Sequence, residues 1–314
     1  MMTSKSVFLM SVWAVVFSLA AQEEPSSRFA GYRSGYHYDT LALQVLLDRQ
    51  HLSCNCVDGV WGARTEIALV TWQTLNGRAP TGIPDASVLE ALGGDTNVLT
   101  RYTITTNDLA AIGPVPLAWE ERAKLRSMSY ETVQEMLAEK GHASMRTIER
   151  LNPESAWPNP PAGTEVLLPD CACAKPERAR SIRIALSRTE ITAFNGEGKL
   201  IALFPCTIAR EKSRRPDGEL LVKTMAPNPN YTYDPQLFEP GCPKTTKYVI
   251  PAGPNNPVGS AWIGLSLTGY GMHGTPSPEK IGGAESHGCF RLANWNAMKL
   301  ITMVYPGLPV AVED

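Results

Sequence analysis

Reactive side chains concentrate in one stretch of this sequence, residues 262–296. His273-Gly274-Thr275 is followed by Ser286-His287-Gly288-Cys289-Phe290-Arg291. Two of the five histidines thus stand fourteen residues apart, with a cysteine two beyond the second. A free thiol with a pKa near ~8.5 is mostly protonated at neutral pH, and thiol chemistry needs the thiolate. A neighbouring imidazole can take the proton and leave a thiolate–imidazolium pair. Gly288 lets the backbone approach a substrate carbonyl, and the amides beside it can point at a developing oxyanion. Arg291 is a planar cation suited to a carboxylate. A nucleophilic thiol is one reading of this cluster. A small buried apolar cysteine is another, and part of a zinc site a third. The zinc reading is short of ligands, because the spacing offers three at most.

The elements that must position these groups are mostly strands. From Ser181 onward, Ile182/Ile184/Leu186, Glu190–Phe194, Leu200–Phe204 and Leu220–Met225 are short apolar or alternating runs between Gly or Pro turns. Asn195-Gly196 is a hairpin signal. Residues 226–248 are long and Pro-rich, either a lid over the cleft or a plain insertion. Upstream the texture changes. In 36–95, Leu41, Val45 and Leu46 share one helical face and Ile67, Ala68, Trp72 and Leu75 another. Asp58–Gly62 forms a turn between them. A short helix over Ala86–Leu92 stops at Gly93-Gly94. Residues 101–170 open with the strand Tyr102–Thr105. Helices follow over Tyr130–Lys140 and Met145–Leu151, then a closing strand over Gly163–Leu168. Residues 171–180 form a charged hinge.

The chain has 314 residues, with 29 Lys+Arg against 31 Asp+Glu. A net charge of −2 excludes a basic nucleic-acid footprint. Residues 1–20 pair Lys5 with an apolar run over Val7–Leu19 and small residues at Ser18 and Ala20. That is the pattern of a cleaved export signal. The run is shorter than the ~20 residues of a membrane span. A polar linker, 21–35, follows. The expected location is outside the cytoplasm, in the periplasm or cell envelope, with no stable membrane span after cleavage. Seven cysteines is an odd number for such a compartment. Six can pair: Cys54, Cys56, Cys171, Cys173, Cys206 and Cys242. A Cys206–Cys242 bridge would pin the 226–248 segment. Cys289 would then be the one titrating thiol.

His273-Gly274-Thr275, a gap, and Ser286-His287-Gly288-Cys289-Phe290-Arg291-Leu292 resemble the signature of the YkuD-type L,D-transpeptidase catalytic domain. Asn256–Gly259 and Trp262–Leu265 resemble the approach to its first histidine. Pro216-Asp217-Gly218 is similar to its Thr-Pro-x-Gly turn without the Thr, and Gly307–Val310 to its closing strand. The resemblance covers 180–314. It implies a mainly-β, sandwich-like domain that cross-links peptidoglycan through a thioester. Cys289 would attack the third-residue carbonyl of a donor tetrapeptide stem and expel the terminal D-Ala. An acceptor amine would then give a 3→3 link. Water as acceptor would make the protein an L,D-carboxypeptidase, and a lipoprotein Lys would give a tethered protein. A catalytically inert wall-binding protein is a further alternative. The resemblance implies His273 as general base, with its second ring nitrogen held by a backbone carbonyl near Gly274. It places His287 beside the thiol and Ser286 in the site. The Gly288 and Cys289 amides would form an oxyanion hole, and Arg291 would hold a substrate carboxylate or buttress the loop. It implies no cofactor and no metal. Phe290 replaces the usual Ile or Val, and Asn296 stands where an Asp often follows, with Asn294 kept.

Asp58-Gly59-Val60-Trp61-Gly62-Ala63-Arg64-Thr65, with Ala68 and Trp72-Gln73, resembles the peptidoglycan-binding type 1 module, a small three-helix bundle. There Gly59 can take positive φ and Thr65 can cap the next helix. Trp61 and Trp72 read as core residues. Residues 101–170 are similar to a LysM module, a small βααβ unit, with an insertion around 111–127. The expected fold is therefore multidomain α+β. The expected partners are the tetrapeptide stems and glycan strands of peptidoglycan.

Overall fold

The computed structural model describes residues 35–94, 97–238, 243, 245–286 and 288–314. The expected export signal, all of the linker but Gly35, Cys242 and His287 lie outside these residues. Among the described residues no helix is long and apolar enough to cross a membrane.

The N-terminal part is built on α1 (Tyr38–Arg49), α2 (Ala63–Leu75) and α3 (Ala86–Ala91). Gln44 of α1 organises the turn before α2. Its carbonyl accepts from the Asp58 and Gly59 amides at 3.0 and 2.8 Å. Its amide group donates to Asp58 Oδ1 at 2.9 Å and Thr65 Oγ1 at 3.1 Å. Gly59 has φ +68, and a Cβ there would lie 2.5 Å from the Tyr36 ring, so the turn requires glycine. Thr65 does not cap α2: the N-cap is Gly62, and the Thr65 hydroxyl is taken by Gln44. Trp72 is buried, and Trp61 packs half-buried on the same core.

The middle part runs β1 (Leu99–Thr103), α4 (Thr106–Ala110), α5 (Trp119–Ala123), α6 (Val133–Lys140), α7 (Met145–Leu151) and β2 (Glu165–Pro169). β1 and β2 pair antiparallel, Leu99 opposite Pro169. Thr105 caps α4 in a reciprocal capping box with Asp108. This part and the N-terminal part share one apolar core, in which Leu41, Leu47, Leu69, Ile104, Leu137 and Ile148 are fully or almost fully buried. The face Leu41/Val45/Leu46 is therefore not the only buried side of α1. Leu43 and Leu47 are buried too, because neighbours pack around the whole helix.

The C-terminal part starts with β3 (Ser181–Ala185), β4 (Glu190–Phe194), β5 (Leu200–Pro205), β6 (Ile208–Ala209), β7 (Gly218–Pro227) and β8 (Tyr231–Tyr233). It continues through α8 (Pro235–Phe238), β9 (Tyr248–Ile250), β10 (Ala261–Leu265), β11 (Gly271–His273), β12 (Ala284–Ser286) and β13 (Phe290–Arg291). It closes with α9 (Asn294–Met303) and β14 (Pro309–Glu313). Eight strands form one sheet in the order β13-β11-β10-β7-β14-β3-β4-β5. The ten-residue β7 joins its halves, pairing with β14 through Gly218–Leu221 and with β10 through Val222–Pro227. α9 packs behind β10 and β11 and fills a second apolar core. The Pro-rich 226–248 segment carries β8 and β9, which pair with each other antiparallel.

The three parts are joined by polar bonds in buried places. Residues 51–53 extend the β5 edge: Ser53 N donates to Leu203 O, and Leu203 N to His51 O, both at 2.9 Å. That covers an otherwise open sheet edge. Asp48 of α1, 2% exposed, accepts from Lys299 Nζ of α9 at 2.7 Å and lies 2.9 Å from His142 Nδ1 of the middle part. Asn294 Nδ2 donates to Glu139 at 2.8 Å, and Asn296 Nδ2 to Ser53 Oγ at 2.9 Å. Asp48, His142 and Cys171 bring ligand-type atoms within 4.8 Å of one another. The Lys299 ammonium already supplies the cation there.

Cys54, Cys56, Cys171, Cys173, Cys206 and Cys289 are all free thiols. The expected pairing of the first five is thus corrected, and Cys289 is not the only thiol. Bridging requires Cβ atoms within ~4.5 Å, which spacing in sequence does not reveal. Cys54, Cys171 and Cys206 are instead packed in buried positions.

Candidate active site

β11 lies between β10 and β13. His273 pairs with Trp262 on one side and, in parallel register, with Arg291 on the other. Side chains alternate along a strand. Met272 and Phe290, opposite each other, are fully buried in the core. His273, Arg291 and Cys289, which immediately precedes β13, accordingly share the opposite face. Two motif halves far apart in sequence become neighbours through this one parallel pairing.

His273 is 5% exposed. Its Nδ1 donates to the Gly274 carbonyl at 2.7 Å, which fixes the tautomer and leaves Nε2 as the basic nitrogen. Its ring stacks on Trp262 with centroids 5.6 Å apart. The turn behind it is held by Asn294, whose Oδ1 accepts from the Ser260 amide at 3.0 Å. Gly259 (φ +62) and Gly274 press against that side chain: a Cβ would meet Asn294 Oδ1 at 2.0 and 2.3 Å respectively. Only glycine fits at either position.

Cys289 is partly exposed, and its Sγ donates to the Gly269 carbonyl at 3.5 Å. Ser286 staples the turn ahead of it: its hydroxyl donates to the Cys289 carbonyl at 2.6 Å and accepts from the Gly288 amide at 3.3 Å. One of the two amides expected to face an oxyanion is therefore engaged by Ser286 in this state. Arg291 pairs with Thr207 through the backbone and is half-buried.

Sequence reasoning missed the aromatic wall. Tyr231 lies close enough to Cys289 and Arg291 to interact with both electrostatically. Burial, then Cys289 and Tyr233, push its hydroxyl up to about 12, with Arg291 opposing. Trp119 of α5 stacks on Tyr233 at 4.1 Å and tilts against Tyr231 at 6.3 Å. The 111–127 insertion thus supplies a wall beside the catalytic face. The available signals were a tryptophan in a polar insertion and the Tyr-x-Tyr alternation of β8.

The electrostatics oppose a resting ion pair. Burial drives His273 down to about 4, with Arg291 pushing the same way and the Gly274 and Val258 carbonyls opposing. Burial raises the Cys289 thiol, only partly offset by the Gly271 amide and Arg291. The neutral thiol and neutral imidazole are both favoured, so the proton must move as the sulfur attacks. Iodoacetamide labelling of Cys289, followed by peptide mapping, is expected to accelerate continuously from about pH 6 to beyond about pH 9. A flat plateau between about pH 5 and 8 would reveal a preformed thiolate–imidazolium pair.

Comparison with known proteins agrees with this arrangement. Residues 179–312 match the L,D-transpeptidase catalytic domain family YkuD, and residues 37–92 match the family described as "Putative peptidoglycan binding domain". The chain is similar to "Putative L,D-transpeptidase YkuD" of Bacillus licheniformis, 27% identical over 114 residues, 36% of this chain and 54% of that protein. It is also similar to "Putative L,D-transpeptidase YqjB" of Bacillus subtilis, 28% identical over 136 residues, 42% of this chain and 70% of that protein. The chain thus spans about half the length of the first relative. Among solved structures, an L,D-transpeptidase from Xylanimonas cellulosilytica overlays with a TM-score of 0.39 at 14% identity, covering 93% of this chain and 100% of that one. L,D-transpeptidase 3 from Mycobacterium tuberculosis overlays at 0.35 and 15% identity, covering 49% of this chain and 76% of that one. The chain therefore carries a YkuD-type L,D-transpeptidase catalytic domain together with a peptidoglycan-binding domain.

Proposed function

We propose that the protein is an exported peptidoglycan L,D-transpeptidase that forms 3→3 cross-links through a Cys289 thioester. The observation that carries this reading is the pairing of β11 with β13, which brings a tautomer-fixed, buried His273 and a partly exposed Cys289 to one face. Cys289 Sγ adds to the third-residue carbonyl of a donor tetrapeptide as its proton passes to His273 Nε2. The C–N bond then breaks, and D-Ala leaves as the amine carrying that proton. An acceptor amine attacks the thioester, the new amide forms, and the thiol is regenerated. Backbone amides at Gly288 and Cys289 would stabilise the oxyanion once substrate displaces the Ser286 contact. His287 would complete the site beside the thiol, with Gly274 and Ser286 shaping the two turns.

The residues 37–92 domain would hold the enzyme on its insoluble polymer and raise its effective concentration there. Residues 101–170 would add glycan contact as a LysM-like unit, for which the βααβ order of β1, α6, α7 and β2 is the support. The apolar leader supports export to the periplasm or cell envelope. Incubation with disaccharide tetrapeptide tests the reaction. Mass analysis is expected to show a dimer lacking one D-Ala. Tripeptide alone would make the protein an L,D-carboxypeptidase, a lipoprotein adduct a tethering enzyme, and unreacted tetrapeptide an inert wall-binding protein.

A further inference from the structure

Two separate seams join the middle part to the β8–β9 ribbon and the chain just after it. At one, the Met128 amide donates to the Ala252 carbonyl at 2.8 Å and the Met128 carbonyl accepts from the Asn255 amide at 3.0 Å. Gly253 (φ +142) is required there, because a Cβ would lie 2.2 Å from the Met128 carbonyl oxygen. Asn255 Nδ2 also donates to the Ser129 carbonyl at 2.9 Å and to Glu135 at 2.8 Å. At the other seam, the Trp119 ring stacks on Tyr233, with centroids 4.1 Å apart and planes 10° apart. The Arg122 guanidinium stands over the Trp119 ring at 5.0 Å. The loop that carries Trp119 is closed on itself. The Gly113 amide donates to the Tyr130 carbonyl at 2.9 Å, and Arg122 Nε donates to the Pro116 carbonyl. Trp119 is therefore presented from a fixed base.

The ribbon it touches borders the reacting groups. Ala226 of β7, Trp262 of β10, His273 of β11 and Arg291 of β13 lie in one row across the sheet. With strands ~4.8 Å apart, Ala226 stands about 10 Å from His273, and the chain passes from there into β8 at Tyr231. Tyr231 is half-buried and interacts electrostatically with Cys289. Yet β8 and β9 pair through only three residues each, Tyr231 opposite Ile250 to Tyr233 opposite Tyr248. A two-stranded ribbon of that length is marginal by itself in water, so its place is set by what packs on it. Trp119 meets both of its tyrosines, Tyr233 by stacking and Tyr231 at a tilt with centroids 6.3 Å apart.

We infer that Trp119 is a positioning residue for the transfer step: it clamps the β8–β9 ribbon so that Tyr231 stays beside Cys289 and shields the thioester from water. The inference rests on the transpeptidase reading. The thioester has two exits. In one, the acceptor nitrogen bonds to the acyl carbon, the C–S bond breaks, and a proton from nitrogen passes to sulfur. In the other, a water oxygen bonds instead, and one of its protons passes to sulfur. Both regenerate the thiol, so the ratio of dimer to tripeptide reads water exclusion separately from acylation.

That ratio and first-turnover D-Ala release are measured on disaccharide tetrapeptide for the wild type, Trp119→Ala, Trp119→Phe and Leu117→Ser. Trp119→Ala is expected to lower the ratio about three- to tenfold, the worth of one aromatic contact, with first-turnover release within about twofold. Trp119→Phe keeps a ring to stack and should restore most of the ratio. Leu117→Ser, at a 92% exposed position of the same loop, should leave it unchanged. An unchanged ratio in Trp119→Ala, or an equal drop in Trp119→Phe, overturns the inference. Should Trp119→Ala fail to fold, Tyr233→Ala removes the same contact from the other side and is judged by the same ratio. If the wild type forms no dimer, the transpeptidase reading fails first. The wall is then read without turnover, from the rate at which a bulky fluorophore maleimide labels Cys289 relative to iodoacetamide. That relative rate should rise about three- to tenfold in Trp119→Ala, and an unchanged value overturns the inference.

Discussion

Cys289→Ser is expected to lower D-Ala release from a tetrapeptide donor by roughly three orders of magnitude or more, by analogy with other nucleophile–base pairs. A serine hydroxyl is a weaker acid than a thiol and depends wholly on its base. The base here is weak, because burial takes His273 down to about 4. A neutral imidazole of that basicity can assist a thiol during attack but has little leverage on an alcohol. His273→Ala should cost a comparable factor, and the double variant little more, because the pair acts as one unit. Sacculus binding should survive in all three variants, since residues 37–92 pack in a different apolar core from the one behind β11 and β13. Retention of a near-normal rate in Cys289→Ser would move the nucleophile to another residue. Loss of binding together with activity would point to misfolding.

Asp48→Ala is expected to destabilise the protein by about 3–5 kcal/mol, the range for breaking a buried ion pair from one side. Lys299, only 11% exposed, would be left without its carboxylate, and the His142 ring would lose its hydrogen bond to it. Replacing both Asp48 and Lys299 by apolar residues should cost much less, because no uncompensated charge remains. Urea unfolding of the single and double variants gives the comparison. The pH dependence has a definite sign. Burial alone would raise Asp48, but His142 and Lys299 outweigh it and hold the carboxyl well below its ordinary value. The stability it contributes is thus present above the unfolded value of about 3.9 and lost as pH falls below it. Asp48→Asn should therefore flatten the acid limb of stability below about pH 4 and leave its shape near neutrality unchanged. An unaltered acid limb would assign that limb to other carboxyls.

The candidate chemistry was readable from residue types and spacing. Thiol attack needs a cysteine, a base and a flexible backbone near the oxyanion, and His273, Gly288 and Cys289 would supply them in one short stretch. The Asp-Gly turn at 58–59 was readable for a similar reason: positive φ singles out glycine whatever surrounds it. Local signals failed where the cause was another segment. Thr65 looked like a cap, yet Gln44, twenty-one residues earlier, claims its hydroxyl. An export pattern with several cysteines suggests pairing, yet the six described cysteines stand as thiols.

By itself the sequence determined which groups could react and which turns demanded glycine, because those demands are met within a few residues. Tertiary structure alone decided how they act. The parallel pairing of β11 with β13 brings His273 and Cys289 to one face, and burial favours the neutral form of each. Trp119, from a different part of the chain, packs on Tyr231 and Tyr233 beside the site. Three parts are held together through Asp48, Lys299 and Asn294. Each of these depends on proximity between residues far apart in sequence, and on the dielectric that packing creates, neither of which local spacing encodes.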